Sequence, residues 1–114
     1  MSAVTDSGQW PQLLKSFSRR NAGRATRLEL DDADLGAQWG EMELHFRGAA
    51  YEPRYGRVEL MLTDGDPTEH LTHSVEAVQQ IDVSTGGDGR DAVLRLAYPG
   101  GQTLLVLEDG DAAG

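Results

Sequence analysis

Between Glu41 and Val83 apolar and polar residues alternate with a period of two, a rhythm that suits an antiparallel sheet with one wet face. Met42, Leu44 and Phe46 alternate with Glu41, Glu43, His45 and Arg47. After the stretch GAAYEPRYG, read as a bend, Val58, Leu60 and Leu62 resume the pattern with Glu59 facing the other way. The acidic turn DGDPTE then leads into HLTHSVEAVQQIDV, read as one long third strand. Its odd positions Leu71, His73, Val75, Ala77, Ile81 and Val83 share a face that only Gln79 interrupts. Three such strands present a hydrophobic face that a lone hairpin cannot.

That face needs a cover, and the N-terminal region supplies one. Trp10, Leu13, Leu14 and Phe17 fall at i, i+3, i+4 and i+7, the spacing of one helical face. A helix is expected over 8–22, with Ser7 or Gly8 at its N-cap, Pro11 in the first turn and Gly23 at C′. Arg19 and Arg20 fall in the last turn, where the helix dipole favours cations. So short a helix is marginal alone and has to dock on the sheet.

The remaining chain is strand and turn. Leu28 and Leu30 flank Glu29 in a strand beginning near Ala25, and DDADLGAQWG reads as an acidic loop. After the glycine-rich turn TGGDGRD, Ala92, Leu94, Leu96 and Tyr98 alternate with Val93, Arg95 and Ala97, a strand expected near an edge. Pro99 to Gly101 make a tight hairpin into Thr103–Leu107, apolar enough to be central. The expected fold is α+β, mainly β. One helix packs on a bent antiparallel sheet of about six strands over 25–108, able to curl into a small barrel. Residues 1–6 and 109–114 are expected to be flexible.

A chain of 114 residues is one domain, able to bury about two-thirds of its unfolded surface. It holds no cysteine, which removes disulfides, thiolate nucleophiles and cysteine metal sites and suits a reducing cytoplasm. MSAVTDSG lacks the basic and apolar regions of a signal peptide, and no apolar run approaches the ~20 residues of a membrane span. Nineteen carboxylates against ten basic residues give a net charge of −9. That balance argues against nucleic-acid binding, which gains affinity from Lys and Arg on phosphates, and suits solubility or a basic partner.

The segments GAAYEP, VELML, HLTHSVE and IDV, in this order and spacing, resemble a family of small bacterial proteins known as a domain of unknown function (five-three-three-five). Members pair an N-terminal aromatic helix with a core like G-x-x-Y-x-P … H-L-x-H-x-x-E … I and end in a strand resembling GGQTLLVLE. The likeness runs from Trp10 to Glu108. It implies a soluble bacterial domain and brings no activity, cofactor or catalytic residue with it.

Five groups of residues are candidates for chemistry. His70 and His73 would share a face on a helix and could ligate a metal, but on a strand residues three apart face opposite ways. His73, on the face of Leu71 and Val75, reads better as a packed histidine bonded to backbone. Asp64, Asp66 and Glu69 in DGDPTE cluster carboxylates without the spacing of an EF-hand, and Asp-Gly and Asp-Pro are ordinary turn residues. The run Asp31–Asp34 is weaker still. Arg19, Arg20, Arg24 and Arg27 could meet a phosphate or an acidic partner, and also suit a helix C-terminus. Tyr51, Pro53, Arg54 and Tyr55 form an aromatic bend whose composition is that of interface hot spots, against the plainer reading of tyrosines packed over the sheet.

The sequence carries no nucleophile elbow, catalytic cysteine, H-E-x-x-H pair or phosphate loop, so no catalytic residue and no cofactor is assigned. The expected role is a non-enzymatic interaction module that binds a protein partner or itself, through a strand edge or the Tyr51–Tyr55 bend. Two other roles stand beside it. One is a small-ligand or metal-binding domain using His70, His73 and nearby carboxylates; the other is an acidic nucleic-acid mimic that inhibits a binding protein.

Overall fold

The computed structural model describes residues 4–32, 36–39, 44–63 and 70–108, with the side chains of residues 32 and 36–39 left aside. A 3-10 turn, Ser7–Gln9, leads into helix α1, Trp10–Asn21. Asp6 caps the turn: its Oδ1 accepts the Gly8 N–H at 3.0 Å. Pro11 stands in the first helical turn, where its missing N–H costs nothing. The helix stops at Ala22, whose N–H bonds the Ser18 carbonyl, and Gly23 adopts φ +90, a left-handed conformation that a glycine takes without strain.

Eight strands follow: β1 (Ala25–Asp32), β2 (Gly36–Trp39), β3 (Leu44–Glu52), β4 (Arg57–Thr63), β5 (Leu71–Val75), β6 (Gln80–Thr85), β7 (Asp91–Tyr98) and β8 (Gly101–Leu107). All ladders are antiparallel. Seven strands run in the order β5-β4-β3-β1-β8-β7-β6, and β2 pairs on β1 beside this path. The β1–β3 ladder holds only Ala25↔His45 and Thr26↔Leu44, so the sheet behaves as two halves hinged there, β3-β4-β5 and β1-β8-β7-β6. Their inner faces enclose one core around Phe46, Leu60, Leu62, Ile81, Leu94, Leu96 and Leu105.

The helix lies against β3. Trp10, Leu14 and Phe17 are buried, and Leu13 packs at the margin. Removing three such side chains from water stabilises by about 1.5–3 kcal/mol each, an upper bound before entropy. Phe17 meets Phe46 edge to face at 5.3 Å, and Trp10 meets Tyr51 in the same way at 5.0 Å. A register irregularity between Phe46 and Gly48 places an extra residue in β3. Leu44 and Phe46 point inward before it, and after it the inward positions become Ala49 and Tyr51. Across the helix–sheet contact, Ser18 Oγ accepts the Ala49 N–H at 2.9 Å and donates to the Leu14 carbonyl at 2.7 Å.

Four expectations change. The bend read over GAAYEPRYG begins only at Pro53, because Gly48, Ala49 and Ala50 continue β3 beneath the helix. The acidic loop DDADLGAQWG contains β2, which pairs on the β1 edge left open beyond Thr26. The long strand read over 70–83 is two strands, broken at Glu76–Gln79, where Ala77 takes φ +57. Its halves are the two edges of the sheet: β5 pairs β4, while β6 pairs β7. The strand Ala92–Tyr98, expected near an edge, is β7 and lies between β6 and β8. No ladder joins β5 to β6 among the described residues, so the sheet is bent but open.

Phe17→Ala should lower stability by about 3–5 kcal/mol, the cost of a large cavity in a packed core. Chemical denaturation checks this, and a midpoint close to that of the unaltered chain would mean that the helix does not carry the core.

Candidate functional site

The two edges of the sheet differ. On β6, the N–H and carbonyl of Ile81 both pair with Val4, at 3.0 and 2.7 Å, so the N-terminal segment covers part of that edge. The Val4 carbonyl also accepts the Trp10 indole N–H at 3.0 Å, which ties this cover to the helix.

On β5 the orientation of the backbone follows from its neighbours. The N–H and carbonyl of Phe46 both turn toward β1, to Arg24 and Gly23, at 2.9 and 2.7 Å. Phe46 therefore makes no ladder bond to its opposite residue Leu62, and Leu62 turns its own groups to β5. By alternation Leu71, His73 and Val75 bond to β4, and Thr72 and Ser74 point their N–H and carbonyl groups outward. Among the described residues no backbone bond meets those outward groups. The strand LTHSV also lacks the proline and the charged side chains that usually guard an edge.

A cleft of about 240 Å³ adjoins β5. His73, Ser74, Val75 and Glu76 form one wall, and Leu30, Tyr98 and Thr103 the other. The Tyr98 and Thr103 hydroxyls bond each other at 3.1 Å. His73 is half-buried with no hydrogen-bond partner for its ring among the described residues, in place of the backbone bond expected for it. Burial lowers its pKa, so the ring is neutral near pH 7. His70 lies outside the strand and is exposed. Asp64, Asp66 and Glu69 fall outside the described residues. Among those described, no three His, Cys, Asp or Glu side chains gather closely enough to hold a metal ion.

The bend from Pro53 to Gly56 divides the four residues proposed as contacts. Tyr51 packs against the core through Trp10, whereas Pro53, Arg54 and Tyr55 are exposed. The Arg57 guanidinium lies 4.8 Å from the centroid of the Tyr55 ring and 3.4 Å from Glu76 Oε1. The Gly56 carbonyl accepts the Val78 N–H at 3.1 Å. The bend is thus tied to the segment that links the two edges.

The arginine cluster is largely taken up within the fold. Arg20 Nε stands 2.8 Å from Asp91 Oδ2, and Arg27 Nη1 lies 3.8 Å from Glu108. Buried Arg24 donates to Asn21 Oδ1 at 3.0 Å and to the Asp91 carbonyl at 2.7 Å. Asn21 completes the set by donating to Asp91 Oδ2 at 2.7 Å and to the Phe17 carbonyl at 2.9 Å. Burial alone would raise the Asp91 pKa, but bonds from Asn21 and Arg20 and the charges of Arg20 and Arg24 outweigh it and hold the value below the ordinary one. Sequence reasoning did not single out Asn21 or Asp91, which lie 70 positions apart. The only signal was a polar residue on the apolar stripe, at i+7 from Leu14.

Asp91→Ala should destabilise by about 1.5–3 kcal/mol at neutral pH, since it strips a charged acceptor from buried Asn21. A folded-state pKa below the unfolded value gives stability that is complete above about pH 4 and fades as pH falls through the folded value. The gap between the two proteins in denaturation curves should therefore shrink in acid; a gap independent of pH would remove the ionised carboxylate from the account. Zinc and EDTA should both leave the melting temperature unchanged, because a ligand specific for the native state raises it. A zinc-dependent rise lost in His73→Ala would restore the histidines as a metal site.

No curated protein and no solved structure matches the chain. No helix among the described residues is long and apolar enough to cross a membrane. One family model matches residues 2–112, nearly the full chain, and agrees with the motif likeness read from GAAYEP to GGQTLLVLE. The chain belongs to the Family of unknown function (DUF5335).

Proposed function

We propose that this chain is a non-enzymatic interaction module that binds an extended segment of another protein along β5. The observation that carries the reading is the contrast between the edges: Val4 bridges β6, while the outward groups of Thr72 and Ser74 on β5 meet no backbone partner among the described residues. Such an edge accepts a further strand, whose main chain supplies the affinity. Leu71, 38% exposed on β5, and Met61, 37% exposed on β4, add apolar contact area beside it. Tyr55, with Pro53 and Arg54, adds a second exposed surface at the far end of β4.

A partner with basic character suits a chain of net charge −9 better than a second copy, which long-range repulsion opposes. A bacterial cytoplasm is the setting this reading assigns, supported by the cysteine-free sequence.

Thr72→Pro tests the edge. It removes an outward N–H and leaves the bonds to β4 in place, as proline on an edge strand can. Peptides selected from a random display library on the unaltered protein should lose binding to Thr72→Pro while its melting curve stays close to the original. Equal binding to both proteins would sink strand addition at β5. Sedimentation at low and high salt should show a monomer in each; a dimer strengthened by salt and lost in Thr72→Pro would make the second copy the occupant.

A further inference from the structure

We infer that the strand added at β5 is a basic peptide with an apolar anchor residue, and that the anchor enters the cleft beside His73. The inference rests on β5 being the binding edge and goes on to name what the edge selects. In strand addition the main chain gives affinity and pockets for alternate side chains give specificity. The cleft is placed for this task, because β5 itself supplies one of its walls through His73 and Val75.

Its size selects a side chain over a free ligand. At about 240 Å³ it falls below the roughly 300–1,000 Å³ of pockets that enclose drug-sized molecules. Its chemistry selects an apolar group. Leu30, Val75 and the ring of Tyr98 are apolar surface, and the Tyr98 and Thr103 hydroxyls engage each other at 3.1 Å. His73 and Ser74 are the polar residues left over; His73, half-buried and without a partner among the described residues, offers one donor and one acceptor. An aliphatic or aromatic anchor fills the apolar part, and the backbone that carries it, or a tyrosine hydroxyl, reaches the imidazole.

Charge sets the neighbouring residue. Among the described residues Glu76 is the only acidic side chain lining the cleft, and it is 67% exposed. Arg57 holds it at 3.4 Å, an exposed ion pair of little strength that a second cation can join. Successive side chains of a strand leave on opposite faces, so a Lys or Arg within two residues of the anchor can reach Glu76 from outside the cleft.

The test uses the full chain and a display library of random twelve-residue peptides, selected at low salt and pH 7.5. Enriched peptides should pair an aliphatic or aromatic residue with a nearby Lys or Arg. Affinity for a selected peptide is then measured against Leu30→Trp, which fills the cleft from a partly exposed position, and against Glu76→Gln. Each should weaken binding by about tenfold or more, with Thr72→Pro abolishing it. Circular dichroism confirms that each variant is folded, and His73→Phe serves as a second cleft-filling variant if Leu30→Trp is not. Peptides that need an unblocked Thr72 but ignore Leu30→Trp and Glu76→Gln would overturn the anchor while leaving the edge standing. Peptides indifferent to Thr72→Pro, or no enrichment at all, would overturn both. A salt-strengthened dimer that Thr72→Pro dissolves would overturn the basic peptide as occupant.

Discussion

Four residues, Glu76–Gln79, carry the chain from one edge of the sheet to the other, and most of the architecture follows from that short link. Edges joined by four residues cannot lie far apart, since an extended chain gains at most ~3.3–3.6 Å per residue. The sheet must bend until the end of β5 meets the start of β6. Ala77 takes a left-handed turn to do it, Val78 fills the core, and two backbone bonds pin the passage, Val78 to Gly56 and Gln79 to Ala97. The strain of a non-glycine residue at positive φ is offset by these fixed neighbours.

Helix α1 completes what the link begins. The two-residue ladder between β1 and β3 is a weak joint, and the helix reinforces it from both sides. Its aromatic face packs on β3, while its C-terminal end reaches β7 through Asn21, Arg20 and the nearby Arg24, all converging on Asp91. A buried polar cluster is stabilising only when its members are satisfied, and the Asp91 carboxylate serves that need by accepting from the Asn21 and Arg20 side chains at the helix end. Arginines that looked available for a ligand are therefore structural in their main effect.

The same geometry explains the contrast between the two edges among the described residues. The N-terminal segment runs past β6 on its way into the helix, so Val4 bridges Ile81 without any dedicated device. Among the described residues nothing comparable reaches β5, and the cleft beside it arises where the two halves of the sheet diverge. An edge that no described residue covers and a small cleft beside it are the features that distinguish this surface from an ordinary solvated one.

Much of this fold was legible in the sequence because periodicity reports local geometry. The i, i+3, i+4, i+7 spacing from Trp10 to Phe17 gave the helix, Gly23 its end, alternation the strands β3, β4 and β7, and a nearly continuous apolar run the strand β8. The family, too, was readable in the order of its segments. Partnership was not. Alternation from Leu71 to Val83 is nearly unbroken across Glu76–Gln79, so nothing local shows that its halves pair with different neighbours. The small residues Gly48, Ala49 and Ala50 looked like a bend, yet they are strand, because the helix they admit pays back their poor strand propensity. Tyr51 and Tyr55 carry the same side chain, but the register shift in β3 turns Tyr51 inward onto Trp10, while Tyr55, in the bend beyond β3, faces solvent. His73 was placed correctly on the inner face, but whether that face is filled or opens into a cleft depends on Leu30, Tyr98 and Thr103, which only the bending of the sheet brings near. The sequence by itself determined the helix, most of the strands and their wet and dry faces, since these depend on neighbours a few residues away. The tertiary structure alone decided which edges stay open and what stands beside them, since those contacts join residues far apart in the chain.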